Sequence, residues 1–347
     1  MPDYQIGYYV HHHGAGHLMR AMAIAEHVQC PVTLIGSSVP DEAPDSNIRT
    51  LRLPMDTASG VRADSFDTLH YAPLGVDGLR ERMALLAEWF RRAWPCVLVV
   101  DVSVEIATFA RLFGVPTIYV RQHGRRDDPP HQQAYAMASR LLAPYPAAME
   151  SRDTPLALLE KTDHAGWVSR YTPTKRDIGQ PGSVLVINGR GGTAFSHQAM
   201  EQMARACPQW RFRIAGEVRG TQPAQLSPNV EYLGQLTDPL EEMVRAEIII
   251  GSAGDSLVSE SASVGRRYIA VAEDRPYDEQ LLQARRLNEL GVAIGLDRWA
   301  DAGEWPALLG RARQLPVDRW QAMADSCAPV RAARMIEAAA EQAFAHH

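Results

Sequence analysis

The chain is almost without lysine. Of its 35 basic residues only Lys161 and Lys175 are lysine, and the other 33 are arginine. This excludes the phosphate loop of the P-loop nucleoside triphosphatases, which needs a lysine directly after its glycines. It also argues against a lysine Schiff base, because Lys175 falls in a stretch that reads as a linker and Lys161 just ahead of it. The bland reading of the ratio is a GC-rich genome that writes arginine for lysine. Whatever its origin, any bound anion must be met by arginine, histidine, backbone N–H groups or helix N-termini. Cysteine is scarce too: Cys30, Cys96, Cys207 and Cys327 are far apart with no C-x-x-C. Neither a zinc knuckle nor a redox pair is suggested, and free thiols suit a reducing cytoplasm. No apolar run reaches the roughly 18 residues of a membrane helix. No basic stretch followed by an apolar one opens the chain, so no signal peptide is expected. There is no excess of positive charge either, with 35 basic against 41 acidic residues and a net charge of -6. An extended nucleic-acid surface is therefore not expected.

What is present is ordinary globular material, 46% hydrophobic and 22% charged over 347 residues. At about 150 residues per domain this predicts two domains. Short apolar runs alternate with helical stretches, as in Gln5–Val10, His17–Val28, Val32–Ile35, Leu79–Ala93, Cys96–Val100, Val104–Phe113 and Thr117–Val120. Such alternation argues for a parallel sheet covered by helices. The rhythm restarts with strands at Ser183–Asn188, Arg211–Ala215, Val230–Leu233, Glu247–Ile250 and Arg267–Val271. Helices are expected at Ala194–Ala206, Asp238–Arg245, Asp255–Val264, Tyr277–Leu290 and Pro329–Ala345. The expected fold class is α/β, with two doubly wound Rossmann-like domains facing across a cleft. Residues 1–165 would form the first domain, 166–182 a Gly/Pro-rich linker, 183–328 the second domain, and 329–347 a C-terminal helix.

Several motifs fall where such sheets bind ligands. The first strand runs into Gly14-Ala15-Gly16-His17 and then Arg20. Glycines there let the chain turn sharply and bring helix N–H groups to a ligand. The positive end of a helix dipole favours a neutral imidazole, so His17 is a candidate general base; the bland reading is a turn-capping histidine. His11-His12-His13 cannot form one metal site, because neighbours on a strand point to opposite faces, and no metal is expected. Asp101 ends the apolar strand Cys96–Val100 and could orient His17 or act as base itself; against that stands an N-cap role, for which Ser103 competes. Arg121, His123 and Arg125 follow the next strand and could hold an acceptor phosphate, or simply form a solvated loop paired with Asp127 and Asp128. In the second half, Asn188–Thr193 carries Arg190, Gly191, Gly192 and Thr193, a loop suited to a diphosphate. Strand Glu247–Ile250 leads into Ser252, Gly254, Asp255 and Ser256, a glycine turn at a helix N-terminus. Glu260 lies further along that helix, where it could hold a pair of ribose hydroxyls, and Gln280 opens the helix after the next strand.

Here the chain resembles the GT-B glycosyltransferases, closest to their MurG-like branch. Gly254, Glu260, Gly265, Gln280 and Ala284 match the donor segment of that family, as does the stretch from Leu233 to Ile250. Val184–Thr193 resembles its first C-domain strand and glycine loop, and Gly14–His17 its N-terminal turn. The resemblance implies a nucleotide-diphosphate sugar as co-substrate, UDP-linked, with no other cofactor and no metal. Arg190, Gly191, Gly192, Thr193, Ser252, Gly254, Asp255, Ser256, Glu260 and Gln280 would bind that donor. Gly14, Gly16, Arg20, Arg121, His123 and Arg125 would serve the acceptor or its phosphate, with His17 and Asp101 catalytic. The chain departs from the family at Ser252, where histidine is usual, at Gly265-Arg266-Arg267 in place of Gly-x-Pro, at Gln283 in place of asparagine, and at Arg20 in place of proline. Many retaining members carry two glutamates separated by seven residues; Ser252 stands in the first position here, which favours inversion. The acceptor stays open among lipid-linked, natural-product and glycan hydroxyls. A cytoplasmic protein is expected, with peripheral contact at the inner membrane face left open. Two other readings share the fold: a nucleotide-sugar hydrolase, whose Gly-x-Gly-His-x-x-Arg turn His17 and Arg20 fit, and a non-catalytic nucleotide-sugar binder.

Overall fold

The computed structural model describes residues 4–12, 16–42, 47–61, 67–173, 179–189 and 195–345. By its contacts the chain forms two compact units. The first comprises Met1–Tyr145, Arg152–Val168 and Cys327–His347; the second comprises Pro146–Ser151 and Ser169–Ser326.

In unit 1 the elements are β1 (Gln5–Tyr9), α1 (Gly16–Ala25), β2 (Val32–Gly36), β3 (Ile48–Arg52), α2 (Asp77–Ala93), β4 (Cys96–Asp101), α3 (Val104–Leu112), β5 (Thr117–Val120), α4 (Pro129–Met137), β6 (Arg140–Ala143), α5 (Leu156–Lys161) and β7 (Thr162–His164). The strands form one sheet in the order β3-β2-β1-β4-β5-β6-β7, with every pair parallel. Because side chains alternate across a strand, β4 feeds two cores. Val97 and Val99 face a cluster with Ala21, Ile24 and Ala25 of α1. Leu98 and Val100 face the opposite cluster with Leu86 and Phe90 of α2 and Ala107 and Ala110 of α3. Each such aliphatic side chain, fully buried, contributes about 1.5–3 kcal/mol. The same parity carries past Val99 to Asp101, which therefore points to the α1 face.

Unit 2 holds β8 (Gln180–Ile187), α6 (His197–Ala206), β9 (Arg211–Ala215), β10 (Val230–Gly234), α7 (Leu240–Arg245), β11 (Ala246–Ser252), α8 (Asp255–Ser263), β12 (Arg267–Val271), α9 (Glu279–Glu289), β13 (Ile294–Leu296), α10 (Trp305–Arg313) and α11 (Val317–Met323). Its parallel sheet runs β10-β9-β8-β11-β12-β13. Ile248 and Ile250 pack with Met200 and Met203 of α6 and with Trp305 and Leu309 of α10. Gly251 has to be glycine: a Cβ there would lie 2.7 Å from the Tyr268 hydroxyl, and that hydroxyl donates to the Ser252 carbonyl at 2.7 Å.

The final helix, α12 (Ala328–Phe344), returns to unit 1, where Ala332, Ala333, Ile336, Ala339 and Ala340 join the α1 core. Alanines on both helices let α1 and α12 approach closely. The chain thus crosses between units four times, at Tyr145/Pro146, Ser151/Arg152, Val168/Ser169 and Ser326/Cys327, whereas the sequence suggested a single linker. The unit divides inside the expected linker, whose residues 174–178, Lys175 among them, lie outside the described residues. Lys161 donates to the carbonyls of Tyr135 (2.7 Å) and Ala136 (2.9 Å), which caps the C-terminus of α4. Two expected helix starts are corrected. Pro239 rather than Asp238 is the N-cap of α7, and Asp238 accepts the Leu240 N–H at 3.1 Å from one residue further back. The helix expected from Tyr277 begins only at Glu279, because Tyr277 and Asp278 have φ of 63° and 54°.

Candidate active site

In unit 1 the first strand ends at the glycine turn, of which Gly14 lies outside the described residues. Gly16 and His17 are the first two residues of α1, and Arg20 stands one turn further along. Residues three apart on a helix share a face, so His17 and Arg20 reach the same point, the Asp101 carboxylate at the end of β4. His17 Nδ1 lies 3.1 Å from Asp101 Oδ1. Arg20 Nη2 donates to both oxygens, at 2.8 and 2.9 Å. Asp101 is wholly buried, at 0% exposure. Burial works against its charge, but Arg20 and His17 outweigh it and hold the carboxyl well below the usual carboxylate range. The buried Tyr8 phenol adjoins them on the same face of the sheet, and burial raises it far above the ordinary phenol value.

The N-cap reading of Asp101 is corrected. Ser103 caps α3, its Oγ accepting from Ile106 N at 3.3 Å, which leaves Asp101 to the imidazole and the guanidinium. Between them Val102 has φ of 62°. A β-branched residue rarely adopts that conformation, and strain of this kind gathers at functional sites.

The loop after β5 carries the arginines and the histidine that the sequence assigned to an acceptor phosphate. Arg121 and His123 are buried, Arg121 donating to Thr162 Oγ1 at 3.1 Å and His123 stacking on Tyr145 with ring centroids 4.1 Å apart. Both side chains therefore have partners inside unit 1, and their role toward a phosphate stays an expectation. Arg125 is exposed.

A second histidine–aspartate cluster was missed in the sequence. Asp128 Oδ1 lies 2.7 Å from His70 Nε2, and Asp128 Oδ2 lies 2.6 Å from His131 Nδ1. These three ligand-type atoms lie within 4.8 Å of one another. Arg126 Nη1 approaches His131 Nε2 at 3.2 Å. A guanidinium can only donate, so Nε2 accepts and Nδ1 carries the proton given to Asp128. A metal would have to displace that proton and drive an Nε2–H against Arg126, so the arrangement fits a hydrogen-bonded bridge. Asp128 also caps α4, accepting from His131 N at 3.3 Å.

In unit 2, β11 ends at Ser252 and Gly254 is the N-cap of α8, with Asp255 and Ser256 in its first turn. The nearest atom to a Cβ placed on Gly254 would be Gln280 Nε2, at 3.5 Å, followed by Ser252 Oγ at 3.8 Å. Ser252, Gly254 and Gln280 therefore stand together as the sequence suggested. Gln280 Oε1 accepts from Glu273 N at 3.1 Å, which fixes the amide. The left-handed Tyr277 and Asp278 directly precede its helix, α9. Glu260 is buried, and burial raises its carboxyl while the nearby Arg170 opposes the shift. Arg170 Nε donates to Glu260 Oε1 at 2.7 Å. Arg170 was missed because it lies in the expected linker; next to it the Tyr171 hydroxyl donates to Asp238 Oδ1 at 2.5 Å. Arg190, Gly191, Gly192 and Thr193 lie outside the described residues.

No family model and no curated protein sequence matches the chain. Solved structures do. The two parallel-sheet units have the fold of the GT-B glycosyltransferases. Among the matches is MurG of Acinetobacter baumannii, at 16% identity and a TM-score of 0.65, covering 97% of this chain and 100% of that one. A UDP-glucosyltransferase of Polygonum tinctorium capable of glucosylating indoxyl matches at 14% identity and TM-score 0.70, covering 99% of each chain. The calicheamicin glycosyltransferase CalG4 matches at 17% identity and TM-score 0.64, over 99% of this chain and 100% of that one. At these identities the likeness is one of fold. Among the described residues, no helix is long and apolar enough to cross a membrane.

Proposed function

We propose that this protein is a glycosyltransferase that moves a sugar from a nucleoside-diphosphate donor, UDP-linked, to an acceptor hydroxyl with inversion at the anomeric carbon. The observation that carries the reading is the contact between His17 and the buried, ionised Asp101. In the proposed mechanism Asp101 accepts the Nδ1–H, which leaves the Nε2 lone pair as the proton acceptor. In the proposed step the acceptor O–H gives its proton to His17 Nε2. The acceptor oxygen attacks the anomeric carbon, and the bond to the diphosphate breaks with its electron pair leaving on the nucleoside diphosphate. Unit 2 supplies donor groups: the α8 N-terminus for the leaving diphosphate, Glu260 for the ribose hydroxyls, and Gln280 for the donor's polar groups. Solved glycosyltransferases of the same fold, one of them a UDP-glucosyltransferase, support the reading.

The test is a panel of UDP-, dTDP- and GDP-sugars incubated with small phenolic, glycan and lipid-linked acceptors, followed for nucleoside diphosphate and glycosylated product. Release that requires an acceptor, with an inverted anomer, is the expected outcome. Release of free sugar with no acceptor would replace transfer by hydrolysis. Binding without any turnover would leave a nucleotide-sugar binder.

A further inference from the structure

We propose that Arg170 is a positioning residue for the donor site of unit 2: it holds the Glu260 carboxylate by one oxygen and turns the remaining acceptor positions to the two ribose hydroxyls of the donor. The inference rests on the reading of Glu260 as the ribose contact, and adds to it a second residue that acts through the first. Glu260 is buried on α8, and Arg170 Nε donates to its Oε1 at 2.7 Å. Other arginine–carboxylate pairs of unit 2 are built differently. Arg313 grips Glu247 as a fork, Nε to Oε1 at 2.7 Å and Nη2 to Oε2 at 3.0 Å. Arg285 grips Asp297 in the same way, at 3.0 and 2.6 Å. A fork engages both oxygens, whereas the Arg170 contact engages one. A carboxylate has about four acceptor positions, so a single bond leaves enough for a pair of hydroxyls.

The bond fixes an orientation that glutamate does not fix by itself. The last torsion of its side chain joins an sp³ to an sp² carbon and is broad, so an untethered carboxylate presents its oxygens in many directions. Arg170 is in turn held from behind. Its guanidinium carbon lies 4.7 Å from the centroid of the Tyr171 ring, and the Tyr171 hydroxyl donates to Asp238 Oδ1 at 2.5 Å. Asp238 also accepts from Leu240 N at the start of α7, so the support runs from a helix through a phenol and a guanidinium to the carboxylate. Charge works in the same direction. Burial raises the Glu260 carboxyl and Asp238 adds to the rise, while the charge and hydrogen bond of Arg170 oppose it. A hydroxyl donates more strongly to an ionised oxygen than to a neutral one, so the cation that orients Glu260 also favours the form that binds a diol.

The test removes the hydroxyls from the ligand and the guanidinium from the protein in turn. Calorimetric titrations of UDP and of 2′,3′-dideoxy-UDP would be run on the wild type, Arg170→Met, Arg170→Lys and Glu260→Gln. In the wild type, loss of both hydroxyls should weaken binding at least about thirtyfold. In Arg170→Met, UDP should bind about tenfold more weakly while the dideoxy analogue stays within about twofold, so the preference for the diol falls by about tenfold. Arg170→Lys, which keeps a charged donor, should recover part of that preference. Equal weakening of both ligands in Arg170→Met would overturn the proposal, since it would place Arg170 on another part of the nucleotide or in the fold alone. Tighter UDP binding would overturn it too, showing that Arg170 covers the carboxylate and has to leave. A preference for the diol that is lost in Glu260→Gln but kept in Arg170→Met refutes the positioning role alone. A preference that survives in Glu260→Gln, or is missing from the wild type, refutes the ribose reading of Glu260 and the proposal with it. Should Arg170→Met not fold, Arg170→Gln decides by the same ratio.

Discussion

Among the described residues unit 1 joins histidine to aspartate in two places, and the two are built in opposite ways. Asp101 sits at the end of a central strand, fully buried, and accepts from one imidazole and one guanidinium. Asp128 sits at a helix N-cap with its side chain 27% exposed, and it bridges two imidazoles while capping its own helix. In the first cluster the histidine is the more accessible partner, at 15% exposure, with its carboxylate behind it. In the second, His131 is the most buried member, and its outer nitrogen is taken by Arg126. In the proposed function a buried carboxylate behind an accessible imidazole serves a base; a carboxylate that bridges two imidazoles at a helix N-cap ties a loop to a helix. The difference lies in which member faces out.

Exchanging each cluster's histidine should give the largest contrast. His17→Ala should lower transfer by about a thousandfold, within the range for loss of a general base, while UDP binding in unit 2 is unchanged. His70→Ala should keep turnover within about threefold. A large loss in His70→Ala, or near wild-type turnover in His17→Ala, would reverse the assignment of roles.

The aspartates come next. Asp101→Asn should cost about a hundredfold in kcat, since an amide can present the wrong group to Nδ1–H. It should also destabilise the protein by about 3–5 kcal/mol, because Arg20 is left buried without its counter-charge. Asp128→Asn should cost about 1 kcal/mol of stability or less, asparagine being a good N-cap, with little change in turnover. Urea melts and initial rates on the same preparations separate the two.

The pH response sharpens the contrast further. Burial presses the His131 imidazole down to about 4 against the pull of Asp128. Burial opposes the Asp128 charge, but its bonds to His70 and His131 bring the carboxyl to about 2. For His131 the unfolded chain binds more protons as pH drops from about 6.5 to 4, so stability is lost across that window. For Asp128 the contribution is present above about 4 and lost as pH falls through about 2. Melting temperature should therefore decline from about pH 7 to pH 5 in the wild type, and less steeply in His131→Gln. Equal slopes would show that His131 is not the group responsible.

The smallest effect concerns Asp255, whose carboxylate in the first turn of α8 would face the same helix end as a diphosphate. Asp255→Asn should tighten UDP binding by about two- to fivefold, the size of one charge at a helix terminus. Weaker binding would mean that Asp255 holds the donor instead of opposing it.

The central strands were plain in the sequence because Cys96–Val100 and Ile248–Ile250 are nearly all apolar, as a sheet covered on both faces requires. Edge strands were not: Ile48–Arg52 and Thr162–His164 carry too many polar residues to stand out, and pairing alone defines them. The return of the C-terminal helix to unit 1 was also invisible, since an alanine stripe names no partner. Among the candidate residues, His17, Asp101 and Gly254 were singled out by their place at or just after strand ends, and Gln280 by the resemblance. Arg20 was read as an acceptor contact, because no sequence pattern shows that it meets Asp101. Arg170 and the His70–Asp128–His131 bridge were missed for the same reason: each joins segments far apart in the chain. Lysine scarcity has a structural counterpart: the buried carboxylates Asp101 in unit 1 and Glu260 in unit 2 are each paired with arginine.

The most direct measurement is a calorimetric titration of UDP into the wild type, His17→Ala and Glu260→Ala. Binding should be equal in the first two and at least about tenfold weaker in the third, from loss of the ribose contacts. No binding of UDP to the wild type, or undiminished binding to Glu260→Ala, would contradict the account.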